Sequence, residues 1–231
     1  MTRCFPTLTA SSVCSLLSAL VLLGGSPKAH AVPISLFNTG VSTSALPLPG
    51  GAQDPHWSVV SGPGITTPAP AVVVSNQNPS GLYAQDQSSR WIWVNASGSG
   101  ATNSPYTFQF TLDLTGFDPG STVIAGRWGV DDNGRIRLNG ADAIGTGALI
   151  IQNSTPFQVL RDFTITGGFV GGLNTLSFLA TDTGNPGAIN VAGLSGSASP
   201  IPETTPVYML SIGLLLLVWR RHACRSGAAN A

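Results

Sequence analysis

The sequence predicts an all-β protein, an antiparallel β-sandwich or jelly roll, flanked by an N-terminal signal peptide and one short C-terminal transmembrane helix. Three observations predict it. Tyr106 to Leu114 alternates strictly between aromatic or apolar and polar residues, the period of a half-buried strand. Short runs of similar character recur along the chain between clusters of Gly, Pro, Asn, Ser and Asp with turn chemistry. No stretch of the central region sustains a 3.6-residue apolar period without Gly or Pro.

The elements follow in order. Arg3, an apolar run from Val13 to Leu23, and Ala29-His30-Ala31 ahead of Val32 have the three parts of a secretory leader, residues 1–31. The ectodomain, residues 32–194, contains candidate strands at Ile34–Phe37, Trp57–Val60, Ala71–Ser75, Arg90–Asn95, Tyr106–Leu114, Thr122–Val130, Arg135–Leu138, Ala148–Gln152, Val159–Ile165, Thr175–Ala180 and Ala188–Leu194. Asp118-Pro119-Gly120 and Asn139-Gly140 are turn signals between them. Ala45–Pro70, with six prolines, reads as a long irregular connection across the surface. Residues 195–201 read as a small-residue stalk. The tail, 202–231, holds an apolar run from Val207 to Trp219, a transmembrane segment of about 205–219, closed by Arg220 and Arg221. At 1.5 Å per residue its 13 residues cover about 20 Å of a hydrocarbon core of about 30 Å. The arginines place the tail inside and the ectodomain outside.

Composition narrows the function. Of the 231 residues only 9% are charged, against about 25% in ordinary soluble domains. Between Val32 and Ile201 there are nine Asp, five Arg, no Lys, no Glu and no Cys, a net charge of −4. That region offers no electrostatic reason to bind nucleic acid, no disulfide and no thiolate metal site. Catalysis has little to work with. His56 is the single histidine of that region outside the leader, no G-x-S-x-G elbow occurs, and the carboxylates are all Asp. The expected protein is therefore not an enzyme.

Two constellations remain. Asp131, Asp132 and Asn133 ahead of Gly134 put three oxygen donors on one turn, the donor type that calcium takes. The same residues also suit an ordinary hairpin turn, so no cofactor is certain and a structural calcium ion is the one suggested. Trp57, Trp91 and Trp93, with Arg127, are candidate ligand residues. Trp91 and Trp93 share a face of one strand, with Ile92 and Val94 on the other. An uncovered indole face would stack on a sugar ring; the alternative role for each tryptophan is core packing, and for Arg127 a pair with Asp.

The order of leader, Gly-rich β domain, Pro202-Glu203-Thr204, apolar run and Arg220-Arg221 resembles the PEP-CTERM family of exported bacterial proteins. The resemblance implies a sorting signal read by an exosortase-type membrane protease. Thr204 stands where the family has a second proline. The ectodomain also looks like one commonly attached to such tails, through Asp54–Trp57, Ser89–Ile92, Leu114–Phe117, Gly126–Trp128, Asp131–Gly134, Leu138–Gly140 and Gly168–Asn174. Its Asp-rich turn followed by a strand ending in Asn-Gly is similar to galactose-binding-like jelly rolls. This implies binding of extracellular polysaccharide. The expectation is an exported, non-enzymatic protein of a Gram-negative bacterium, held at the inner membrane and then at the cell surface or in the extracellular matrix. It binds exopolysaccharide or, alternatively, is a purely structural coat component.

Overall fold

The computed structural model describes residues 30–79, 81–152 and 156–202. The chain divides into two compact units, Met1–Ala29 with Pro202–Ala231, and His30–Ile201. Of the first, Pro202 alone is described, and it is exposed. The leader, Glu203, Thr204, the apolar run, Arg220 and Arg221 lie outside the described residues.

The unit His30–Ile201 is built from antiparallel strands. They are β1 (Val32–Pro33), β2 (Gln53–Ser61), β3 (Ala69–Val73), β4 (Ile92–Trp93), β5 (Ser104–Asp113), β6 (Phe117–Asp131), β7 (Asn133–Leu138), β8 (Ala141–Asp142), β9 (Ile144–Gly147), β10 (Ile150–Gln152), β11 (Arg161–Gly167), β12 (Leu173–Asp182) and β13 (Ala188–Pro200). Hydrogen bonding runs in the order β10-β7-β12-β5-β2-β3-β4-β13-β6-β11-β9, with β1 on β13 and β8 on β7. The short strands β3 and β4 join what are otherwise two layers, β10-β7-β12-β5-β2 and β13-β6-β11-β9.

Alternation explains the pairing. On β5, Tyr106, Phe108, Phe110 and Leu112 are buried and lie in register with Ala180, Phe178, Leu176 and Asn174 of β12. A slip of one residue would turn this row out to solvent, so the register is strongly specified. The layers meet at Phe178, whose ring is edge-on to Trp57 of β2 at 5.4 Å, Trp128 of β6 at 5.2 Å and Phe163 of β11 at 5.9 Å. Each such pair adds about 0.5–1.5 kcal/mol beyond burial of its area.

Ile34–Phe37 forms no strand, β1 being Val32–Pro33, and Asp118-Pro119-Gly120 lies within β6 and not at a turn between strands. Two larger segments also differ from expectation. Ala45–Pro70 is not an irregular connection throughout, because β2 occupies Gln53–Ser61 and buries Trp57 and Val59 completely. Pro55 is tolerated where the β2–β3 register shifts between Gln53 and Ser58, since a bulge asks no ladder N–H of it. Ser195–Pro200 is no stalk; it is the second half of β13, paired with β6 and, at Ser197 and Ala198, with β1. Its residues are small for packing reasons. A Cβ on Gly196 would sit 2.9 Å from Ile34 and Leu36 side-chain atoms, and Ala198 is fully buried.

Candidate metal centre

β6 pairs with β13 and β11, whereas β7 pairs with β12. The chain therefore changes layers at Asp132, and the Asp131–Gly134 segment is not a hairpin. Because the strand does not continue through the pair, adjacent aspartates need not face opposite ways. Asp131, buried, lies opposite Ala188 at the start of β13. Asp132 donates its N–H to the Thr181 carbonyl at 3.0 Å. Its Oδ2 accepts the Thr183 N–H at 3.0 Å and the Thr183 hydroxyl. Asp182 closes β12, and its Oδ1 accepts the Gly184 N–H at 2.9 Å.

One carboxylate oxygen from each of Asp131, Asp132 and Asp182 lies within 4.8 Å of the others. Asp182 is 1% exposed and its Oδ2, buried, has no hydrogen-bond partner. Such a group carries its full desolvation cost unless something positive faces it. No arginine does so: the ion pairs among the described residues are Arg127–Asp86, Arg135–Asp142 and Arg137–Asp142. Asn133 is not part of the cluster. It stands in register with Thr181 and Gln152 on the outer face, and Asp182, 50 positions beyond Asp132, takes the place predicted for it.

The electrostatics follow. Burial, with the Asp132 and Asp182 carboxylates close by, pushes Asp131 up to about 8 against the pull of the Tyr83 bond. Burial raises Asp182 too, and the Asp132 charge adds to it while the Gly184 N–H opposes. Burial works on Asp132 as well, but bonds from Asp131 and Thr183 hold it below the ordinary carboxylate range. The Tyr83 hydroxyl bonds Asp131 Oδ2 and lies 3.0 Å from the Pro186 carbonyl. Burial and Asp131 raise its pKa far beyond the ordinary phenol range. Three hard oxygen ligands, with hydroxyl and carbonyl oxygens at hand and no His or Cys in the cluster among the described residues, suit calcium or magnesium better than zinc.

The predicted aromatic platform does not exist. Trp57, Trp91, Trp93 and Trp128 are at most 1% exposed. Their indole N–H groups are turned inward: Trp57 donates to Phe37 O at 3.1 Å, Trp91 to Ala84 O at 2.9 Å and Trp128 to Ala148 O at 2.6 Å. Trp93 packs on Tyr106 and Phe108. Trp91 belongs to a separate small cluster with Val74, Tyr83 and Ala188, covered by Phe157 and Leu160. Both faces of their strand are therefore covered. Arg127 pairs with Asp86 at 2.9 Å, the structural alternative for it. His56 stacks on Phe37 at 3.6 Å with its Nε2 3.2 Å from the Ser42 carbonyl. A groove of about 630 Å³ lies over β2 and β5 and takes in His56, Gln109 and Asp113, none of them a predicted ligand residue.

No family model and no curated protein matches the chain. Among solved structures, it is similar to a cyclase from Fischerella sp. in its apo form, at 14% identity and a TM-score of 0.44, over 74% of this chain and 97% of that one. The Stig cyclase Fisc from Fischerella sp. TAU, in complex with an indole compound, gives the same identity, score and share of this chain, and 99% of its own length. A carbohydrate-binding module from Clostridium stercorarium in complex with cellobiose matches at 17% identity and a TM-score of 0.25, over 42% of this chain and 75% of that one. These values transfer neither activity nor ligand to this chain. The two structures matched over most of both chains are cyclases and not carbohydrate-binding or coat proteins, so the expectation of a non-enzymatic exopolysaccharide-binding or coat protein finds no support there and is not carried further.

Proposed function

We propose that this is an exported β-sandwich protein in which Asp131, Asp132 and Asp182 bind one divalent cation, calcium, and that the ion secures the end of the sandwich where the chain changes layers. One observation carries the reading: Asp182 Oδ2 is buried without a partner, on a carboxylate that has an oxygen within 4.8 Å of oxygens of two further carboxylates. A dication offsets most of the charge of the three carboxylates and supplies the missing partner. Calcium completes six to eight ligands with flexible geometry, whereas magnesium demands an octahedron and keeps most of its waters. Two of the three carboxylates here are buried, which favours the ion that sheds water more readily. Export is proposed from the leader and from Pro202-Glu203-Thr204, the apolar run and Arg220-Arg221, read by an exosortase-type protease at the inner membrane. The jelly-roll form of the sandwich belongs to the same proposal.

Melting the full chain in chelator and across a calcium series tests the metal. A ligand that binds only the folded state stabilises it by about 2.7 kcal/mol at a hundredfold excess over Kd. For a unit of this size that is roughly 5–11 °C. A Tm unmoved by calcium and by magnesium refutes the site. Export is tested separately. An alkaline phosphatase fusion after Pro202 should be active and one after Ala231 inactive, and the mature C-terminus should lie near Pro202 by mass spectrometry.

A further inference from the structure

The outer face of β7 carries two arginines whose hydrogen-bonding capacity is mostly unspent, and we propose that they form a site for a carboxylate-bearing ligand with an apolar body. The placement follows from the strand. Ile136 and Leu138 point into the core, so Arg135 and Arg137 stand together on the opposite face. Register fixes what surrounds them. Arg135 lies between Leu179 of β12 and Ile150 of β10, and Arg137 between Ser177 of β12 and Asp142 of β8. At the near end of the same row, Asn133 lies beside Gln152. Asn133, Arg135, Arg137, Ile150, Gln152 and Leu179 are among the residues that line a groove of about 300 Å³.

The charge balance in this groove is incomplete. Asp142 is the only acidic partner of either guanidinium among the described residues. It meets Arg135 through Nη1 alone, at 3.2 and 3.4 Å, and Arg137 through Nε alone, at 3.2 Å. Charge-assisted pairs of good geometry are shorter, about 2.7–2.9 Å, and usually bidentate. Arg135 Nε and Nη2 and both Nη atoms of Arg137 make no hydrogen bond within the described residues. One carboxylate shared by two guanidiniums leaves a net positive charge in a region whose balance is otherwise acidic. A planar carboxylate fits the free forks.

The groove also asks for an apolar group. Ile150 is 52% exposed on an otherwise polar strand face, and with Leu179 it flanks Arg135 on both sides. A ligand whose carboxylate engages the arginines lays its body along this pair. Asn133 and Gln152 offer amides at the Asn133 end of the row for a hydrogen-bonding substituent. The site is distinct from the aspartate cluster, and does not depend on it.

Calorimetric titration of the full chain with benzoate tests the proposal. Benzoate should bind, acetate and galacturonate should bind more weakly because they lack the apolar body, and benzyl alcohol, its neutral analogue, should not bind measurably. Arg135→Gln with Arg137→Gln should weaken benzoate by about tenfold, the size of a lost hydrogen bond to a charged group. Ile150→Ser should weaken benzoate and leave acetate unchanged. Asp142→Asn removes the competing carboxylate while keeping an oxygen for the arginines, and should tighten benzoate several-fold, a gain that no folding defect produces. The proposal is overturned if Asp142→Asn leaves the affinity unchanged, if the double arginine variant folds and binds as before, or if galacturonate binds more tightly than benzoate.

Discussion

Substitution of Asp182 by Asn should move stability in opposite directions with and without calcium. The amide oxygen can still accept the Gly184 N–H that Oδ1 now accepts at 2.9 Å. The amide nitrogen replaces the partnerless Oδ2, and one charge is removed from the cluster with Asp131 and Asp132. Two like charges 4.8 Å apart, the outer limit of the cluster, repel by about 3 kcal/mol at an effective dielectric constant of 20. Asp132 is half-buried, so water reduces this, and roughly 1–3 kcal/mol of relief remains. In chelator Asp182→Asn should therefore melt several degrees above the wild type. In saturating calcium the order reverses, because the variant forgoes most of the roughly 2.7 kcal/mol that a hundredfold excess of the ion gives the wild type. Thermal melts monitored by circular dichroism at fixed protein concentration read both arms. A variant that is destabilised equally in chelator and calcium would make Asp182 a plain structural residue and sink the argument.

Three further outcomes follow from the packing. Asp54 accepts the N–H groups of Gly40 at 2.6 Å, His56 at 2.8 Å and Trp57 at 3.1 Å; Asp54→Ala strands all three and should cost about 3–5 kcal/mol in urea unfolding, with Asp54→Asn costing about half. A Cβ on Gly134 would lie 2.5 Å from the Leu179 carbonyl oxygen and 2.9 Å from the Trp128 ring, whereas one on Gly171 meets nothing within 4 Å. Gly134→Ala should thus lose about 2 kcal/mol or more and Gly171→Ala within about 0.5 kcal/mol. Burial pushes Asp86 up, but its bonds from Ser88 and the Arg127 charge hold it below the ordinary carboxylate value. A carboxylate lowered in the folded state contributes stability that is present above its unfolded pKa and lost as pH falls through the folded one. Asp86→Asn should flatten the acid limb of the stability profile below about pH 4, and an unchanged limb would contradict this.

What the sequence discloses is what depends on local pattern. The alternation of Tyr106 to Leu114 gives β5, its buried face and its half-exposed one, because strand period and burial are both written there. The apolar run Arg90–Asn95 yields only β4, two residues long, since what covers Trp91 comes from Tyr83 and Phe157 in segments with no strand pattern. Two apolar faces on one strand signal covering, but not by what. Gly196 and Ala198 read as a flexible stalk because smallness has two causes, and only the positions of Ile34 and Leu36 show that close packing is the one at work. At the candidate metal centre the adjacent Asp131 and Asp132 are visible as oxygen donors. Asp182 is not, because it is brought in by the β7–β12 pairing. The available signal was Asp182-Thr183-Gly184, an acidic residue and turn chemistry directly after an apolar run.

The place of the cluster determines what an ion there can do. The core around Phe178 is complete without it, with Trp57, Trp128 and Phe163 closing the space between layers. The carboxylates lie instead where β6 gives way to β7 and β12 ends, and their hydrogen bonds reach Thr183, Gly184 and the Tyr83 segment. An ion there restrains that end against local opening, which releases it, but leaves openings elsewhere untouched. Hydrogen exchange separates the two. At a hundredfold excess of calcium over Kd the Thr183 and Gly184 amides should slow by about a hundredfold. The Phe117 amide, bonded to the Leu114 carbonyl at 2.9 Å beyond the opposite end of β5, should keep its rate if it exchanges by local fraying. Equal slowing at Gly184 and Phe117, with both amides exchanging faster than global unfolding allows, would mean that calcium acts diffusely on the surface and not at Asp131, Asp132 and Asp182.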